Sequence, residues 1–339
     1  MMSDSEKVIY TLLEVLIAVG CCVGNVLVIW AVCSCRALCQ TTFCFVVSLA
    51  VADFLVGAVA VPLAVVVDGR VETSFHSCLL ISCVVIVLTQ ASVHSLLAIA
   101  VDRYLRVYNP HRYRGAVRKQ NLWAAVTVCW LSASVLGLIP LSGWHNQNPT
   151  TSVNSTITCQ FLMVISMSYM VNFNFLVCIL SPTIVMMAIY AFIFCKISKQ
   201  LRRGIGQAVE SRTFYHKERR LAHSLALVLA LFVVSWFPLH ILNALTYYNT
   251  SVSVPPLAFH IGVLLSHANS AVNPIVYAFK IPKIKIAYKN ILKKLTGSKQ
   301  NPDQSSQTLD NNISSNSNSN VRCSVKNSQT VKTNINQDA

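Results

Sequence analysis

"LLSHANSAVNPIVYAF", residues 264–279, decides how this chain must be read. It belongs to a run apolar enough for a bilayer, yet Ser266, His267, Asn269, Ser270, Asn273 and Pro274 crowd its centre. A helix facing hydrocarbon gains nothing from an imidazole, two amides and a proline, because lipid offers no hydrogen bonds. Ser266, Asn269, Ser270, Asn273 and Tyr277 follow spacings of 3, 1, 3 and 4, which puts them on one helical stripe. Such a stripe must be turned inward, against other helices.

The rest of the 339 residues supplies those helices. The chain is 54% hydrophobic and 12% charged, about half the charge of an ordinary soluble domain. Apolar runs of about 20 residues fit a hydrocarbon core about 30 Å thick. Seven occur, near 8–33, 42–67, 77–106, 121–142, 170–196, 220–247 and 256–279, and form spans one to seven. The expected fold is an all-α membrane protein, a bundle of seven transmembrane helices with a short amphipathic eighth helix and a disordered tail.

Charge orients the bundle. The net charge is +15, but only Lys7 and Arg70 fall in segments expected outside; the other 25 of 27 Lys and Arg fall at the alternate, inner segments and in the tail. The positive-inside rule then places the N-terminus outside and the C-terminus in the cytoplasm. A nucleic-acid binder would carry a continuous basic face instead of this alternation, so nucleic acid is not an expected partner. The opening "MMSDSEKV" has no basic n-region and no small-residue cleavage site, which points to an uncleaved first span.

Redox compartments sort the 13 cysteines. Most sit in or at the ends of spans, as small apolar residues do, and Cys35, Cys39 and Cys323 fall on the reducing side. Cys78, at the outer end of span three, and Cys159, in the long outer loop, remain as the expected disulfide. The outer loops also hold the sequons at Asn154 and Asn249, both accessible to glycosylation. Beyond span seven, "KIPKIKIAYKNILKKL" (280–295) sets Ile284, Ala287, Tyr288 and Ile291 opposite lysines, an amphipathic helix (283–295) for the inner lipid surface. Residues 1–295 thus form the membrane domain. The Ser- and Asn-rich segment 296–339 has the composition of a disordered cytoplasmic tail.

Intramembrane charges are costly and usually functional. Glu14, Asp53 and Asp102 are the three acids in or at the ends of spans. Asp102 opens "DRY" (102–104). Span one adds "GNVLV", span two "SLAVADFLVG", span four Trp130, span five Pro182 and Tyr190, span six "SWFPLHILN" and span seven "NPIVY". In this order they resemble the rhodopsin-like G-protein-coupled receptors, over residues 8–295.

The resemblance implies roles. Asp102, Arg103, Tyr104, Glu218, Tyr190, Pro274 and Tyr277 would form the inner switch, with Arg103 held by Asp102 and Glu218 until span six swings outward for a G protein. Asp53 with Ser92, Asn269, Ser270 and Asn273 would make an oxygen cage suited to a hard cation, an allosteric sodium ion in this family. A protonated Asp53 inside a hydrogen-bond network is the alternative. No other cofactor is expected.

Absences narrow the ligand. Val85 stands where amine receptors carry an aspartate, 18 positions before the DRY arginine. His267 stands where opsins carry the retinal lysine, seven positions before the NPxxY proline. "TCQF" (158–161), "WFPLHILN" and "SHANSAVNPIVYAF" resemble the adenosine receptors. The likeness is greatest to the third subtype, with first-subtype features at Asn174 and His240.

The resemblance implies that Phe161, tethered by Cys159, stacks on a purine, while Asn243 offers a donor and an acceptor to its edge. Leu239, His240, Trp236 and Met170 would line the pocket. Thr89, Ser266 and His267 would meet the ribose, with Glu14 fixing the imidazole. The implied partners are adenosine, an inhibitory heterotrimeric G protein that lowers cyclic AMP, arrestin, receptor kinases and membrane lipids, at the plasma membrane.

The chain departs from the pattern at Pro282 and Ile284, and its eighth helix lacks a terminal cysteine for palmitoylation. A transporter would show inverted repeats or a charged pathway, and neither is present. No nucleophile elbow, zinc-protease motif or phosphate loop suggests an enzyme.

Overall fold

The computed structural model describes residues 4–34, 41–110, 113, 119–147, 156–202, 209–249, 251 and 253–295. Asn154, Cys35, Cys39, Cys323 and the segment 296–339 lie outside the described residues.

Span one is Asp4–Ser34. Span two runs Thr41–Leu55, widens into a π stretch at Val56–Ala60 and continues as Val61–Val66. Span three is Phe75–Tyr108, and span four is Lys119–Gly137 followed by the 3₁₀ turn Ile139–Ser142. Span five is a π stretch, Tyr169–Leu180, running into Ser181–Arg202. Span six is Val209–Tyr248, span seven Pro256–Lys280, and the amphipathic helix Pro282–Leu295.

Local chemistry explains the irregularities. Both π stretches run up to a proline, Pro62 or Pro182. Proline donates no hydrogen bond and crowds the carbonyl four residues back, and a widened turn relieves both. Span three starts where the Ser74 hydroxyl accepts from the Ser77 amide at 3.2 Å, satisfying one orphan donor of the first turn.

Among the described residues, five helices are each long and apolar enough to cross a bilayer: Ser5–Ser34, Thr42–Val66, Phe75–Tyr108, Tyr169–Arg202 and Arg212–Tyr248. Asn121–Gly137 is a shorter apolar helix. Span seven is absent from this group because its polar stripe dilutes its hydropathy. That stripe is inside the bundle: Ser266, His267, Asn269, Ser270, Asn273 and Tyr277 are all buried.

Several helices end well beyond their apolar runs. Span six begins at Val209, not near 220, and span five ends at Arg202, not near 196. The added turns are polar, so hydropathy could not reveal them. The amphipathic helix begins at Pro282, one residue before the expected 283, with proline in the first turn where its missing N–H costs nothing. Its apolar face does not merely lie on lipid: Ala287 and Ile291 are buried with Ala31 of span one.

At the end of the bundle that carries the disulfide (outer, by the charge reading), strand β1, Asp68–Ser74, pairs antiparallel with β2, Thr156–Gln160. Cys78 and Cys159 are joined beside this hairpin, with Cα atoms 5.6 Å apart. A cluster including Phe75, Leu79, Ile157, Val164 and Ile165 packs around them.

Close helix contacts depend on glycine. A Cβ at Gly24 would lie 2.9 Å from the Pro274 ring, and one at Gly57 would lie 2.5 Å from Cys21 Cβ and 2.8 Å from the Ala18 carbonyl. A Cβ at Gly20 would meet Ala271 at an ordinary 3.5 Å. Gly57→Ala is therefore expected to destabilise by about 1–3 kcal/mol, as overpacking does, whereas Gly20→Ala is tolerated. Thermal unfolding of the detergent-solubilised protein separates the two; equal melting temperatures would refute this account.

Candidate functional site

The polar interior forms three groups along the bundle. In the outermost, Phe161 opens the short helix Phe161–Val164, two residues after the bridged Cys159. Its amide donates to the Val67 carbonyl at 3.0 Å, tying the loop to β1. On span six, His240 stacks on two aromatic rings: Phe175 at 4.9 Å and nearly parallel, and Trp236 at 5.8 Å. His240 is buried, yet neither ring nitrogen has a hydrogen-bond partner. Asn243, one turn outward on the same helix, is also buried, and its side-chain amide bonds to none of the described residues. Leu239 packs against span seven, its Cβ 3.2 Å from where a Cβ at Gly262 would sit.

Thr89 and Ser266 donate their hydroxyl protons to their own helices, to the Ile86 carbonyl at 2.8 Å and the Val263 carbonyl at 2.7 Å. What each can still offer is an acceptor. His267 Nδ1 lies 3.0 and 2.9 Å from the two oxygens of Glu14, and both residues are buried. The pair joins spans one and seven.

Composition did not flag a further link at this level. Gln90 Nε2 donates to Asn174 Oδ1 at 2.5 Å, Asn174 Nδ2 donates to Met170 Sδ at 3.5 Å, and Gln90 Oε1 is buried without a partner. Two amides inside apolar runs of spans three and five were the available signal.

The middle group centres on Asp53. Ser92 and Ser270 donate to Oδ1 at 3.1 and 2.8 Å, and Asn273 donates to Oδ2 at 2.8 Å. Asn269 makes no direct bond to Asp53, and its side-chain oxygen is buried without a partner. Residues four apart on one helix reach different depths, and Asn273 takes the carboxylate that Asn269 was expected to share. The Asn273 side-chain oxygen is likewise unpartnered. A buried carboxylate with only uncharged donors, beside two unanswered carbonyl oxygens, matches the donor set of a hard cation.

The inner group is ionic. Arg103, 1% exposed, pairs with Glu218 at 2.9 Å and Asp102 at 3.3 Å. Glu218 also pairs with Arg106 at 2.9 Å, and Asp102 accepts from Thr42 and Tyr113. Arg106, Thr42 and Tyr113 were not anticipated, because a sequence does not say which loop and helix ends converge. Tyr190 and Tyr277 are buried nearby, the latter with an unpartnered hydroxyl. Tyr104 lies outside this ion network, stacked on Tyr108 at 5.5 Å and tilted against Phe192 at 5.1 Å. It neighbours Arg103 in sequence, but adjacent residues on a helix point about 100° apart.

Residues 24–277, which carry these helices, the Arg103 ion network and the bridged hairpin, match the 7 transmembrane receptor (rhodopsin family). The chain belongs to this family. Within it, the receptor is 47% identical over 288 residues to adenosine receptor A3 of Bos taurus, covering 85% of this chain and 90% of that one. It is 46% identical over 290 residues to adenosine receptor A3 of Canis lupus familiaris (85% and 91% covered) and 46% over 288 to that of Ovis aries (85% and 90%). The receptor thus belongs with the adenosine receptors and is most like the third subtype. It is a multi-pass membrane protein and not an enzyme.

Removing one partner of a buried pair leaves the other unanswered, at about 3–5 kcal/mol. Glu14→Leu and His267→Leu are each expected to lower the receptor's melting temperature more than the double substitution does. Additive losses in that double-mutant cycle would show that the two side chains do not act as a pair.

Proposed function

We propose that the receptor binds adenosine at its outer end and, when occupied, activates an inhibitory G protein at its inner end, lowering cyclic AMP. The observation that carries this reading is the buried His240 on span six, neither of whose ring nitrogens has a partner, one turn from the buried amide of Asn243. A buried polar group without a partner costs about 1–3 kcal/mol, and such groups are usually satisfied by something. A flat heterocycle with adjacent donor and acceptor atoms suits an amide one turn above an aromatic floor. The names of the similar receptors support the same class of ligand.

In this reading the Asn243 amide donates to a ring nitrogen and accepts from the exocyclic amine. Phe161 stacks on the base, and Leu239, Met170 and Trp236 bound it. The ribose hydroxyls donate to Thr89 and Ser266, whose own protons are already committed, and His267 stays oriented by Glu14. Asp53, Ser92, Asn273 and Asn269 would hold a sodium ion, which would supply the positive charge that the Asp53 carboxylate lacks. Arg103 keeps the inner side closed while Glu218 and Asp102 hold it, and its release opens the face that a G protein enters.

The charge pattern supports an outer N-terminus and a cytoplasmic C-terminus. It also supports glycans on Asn154 and Asn249, and a tail from 296 available to receptor kinases and arrestin. The amphipathic helix, with its row of lysines, suits contact with inner-leaflet lipids.

Membranes bearing the receptor are expected to bind a labelled adenosine agonist saturably, with Asn243→Ala losing at least tenfold in affinity, about 1.4 kcal/mol or more. Intact surface protein that binds none would refute the ligand assignment, and a rise in cyclic AMP on agonist addition would refute inhibitory coupling. Added sodium chloride is expected to weaken agonist binding to the native receptor but not to Asp53→Asn. An equal salt response in both would remove Asp53 from the cation site.

A further inference from the structure

His240, Asn243 and Tyr247 follow spacings of 3 and 4 on span six, so they share one face of that helix. Both ends of this stripe touch the π stretch of span five, Tyr169–Leu180. At the inner end His240 stacks on Phe175, with ring centroids 4.9 Å apart. At the outer end a single amide meets two phenols. Asn172 Nδ2 donates to the Tyr247 hydroxyl at 3.3 Å, and the Tyr248 hydroxyl donates to Asn172 Oδ1 at 2.5 Å. The two tyrosine rings also meet edge to face, 5.0 Å apart. Asn243, one turn inward of Tyr247, lies between the two contacts with span five.

The outer part of span six needs such a tie. Pro238 stands inside the helix and donates no hydrogen bond to the turn before it. The backbone ladder is therefore interrupted there, and does not by itself fix the direction of residues 239–248. An amide that uses its donor on one residue and its acceptor on the next sets rotation as well as distance. A helix turned about its axis would lose one of the two bonds. We propose that Asn172 is a positioning residue of the ligand site: through Tyr247 and Tyr248 it holds the outer segment of span six, and so presents Asn243 at a fixed depth and angle. Asn172 acts through span six and does not touch the ligand. This role rests on the reading of Asn243 as the residue that meets the purine edge; the clasp itself does not.

The chemistry of the amide supplies both a loss and a rescue. Asn172→Leu keeps the side chain's size and removes both bonds. Asn172→Asp keeps both, because a carboxylate accepts from two hydroxyls at once. Tyr248 is 63% exposed and Asn172 half-buried, so hydroxyls released in the leucine variant turn to water and the fold survives. The test is saturation binding of a labelled adenosine agonist to membranes bearing the full-length receptor. Asn172→Leu is expected to bind about three- to tenfold more weakly, the range of one or two net hydrogen bonds, with the number of sites unchanged. Asn172→Asp is expected to stay within about twofold of the native affinity. Tyr247→Phe with Tyr248→Phe should lose as much as Asn172→Leu, and combining all three should cost nothing more.

Native affinity in Asn172→Leu would overturn the proposal, as would an equal loss in Asn172→Asp. So would fewer sites at unchanged affinity, which marks a merely structural part. A native receptor that binds no agonist refutes the ligand reading, and the positioning role with it. The clasp is then judged without ligand, by the melting temperature of the solubilised receptor. Changes in Asn172→Leu and Tyr248→Phe that fail to add show that the clasp holds; additive changes remove it.

Discussion

In the hydrocarbon slab a polar group finds no water, so it must be answered by another part of the protein. This constraint organises the whole bundle. Glu14 is answered by His267, joining spans one and seven. Asp53 is answered from spans three and seven, by Ser92, Ser270 and Asn273. Arg103 is answered by Glu218, joining spans three and six. Each pairing draws together helices far apart in the chain, and apolar packing fills in between. Where a glycine faces a neighbour, as Gly24 faces Pro274, the backbones come close enough for those short polar side chains to meet.

The unanswered groups carry equal information. His240, Asn269, Asn273, Gln90 and Tyr277 all keep buried atoms without protein partners. They are not scattered. His240 and Gln90 belong to the outer level, Asn269 and Asn273 to the neighbourhood of Asp53, and Tyr277 to the inner end. Such atoms at three successive depths leave hydrogen-bonding capacity that the described residues do not fill, and the proposed nucleoside and cation are species whose chemistry suits it.

The outer hairpin shows how a soluble edge is tied to a membrane core. The disulfide fixes β2 to span three, Phe161 is bonded to β1, and Asp68 reaches His260. Motion of the hairpin therefore cannot be separated from the position of Phe161. At the other end, Glu218 holds two arginines of span three at once. That arrangement resists an outward movement of span six more than a single pair would.

The sequence by itself determined the seven spans and the inward face of span seven, and its charge alternation supplied the expected orientation, because hydropathy, charge alternation and helical spacing are local properties. It also singled out Cys78 and Cys159, since only they remained on the oxidising side. What it left undecided were matters of depth and convergence. That Asn273 and not Asn269 reaches Asp53, that Arg106 shares Glu218, and that Tyr104 turns away from Arg103 depend on helix rotation and on where segments cross. So do the polar extensions of spans five and six, whose stability comes from packing and not from a lipid-facing pattern, and the meeting of Asp68 with His260, 192 positions apart in the chain. A one-dimensional pattern can show that a side chain must be buried against a partner; only the packed bundle can decide which partner comes within bonding distance.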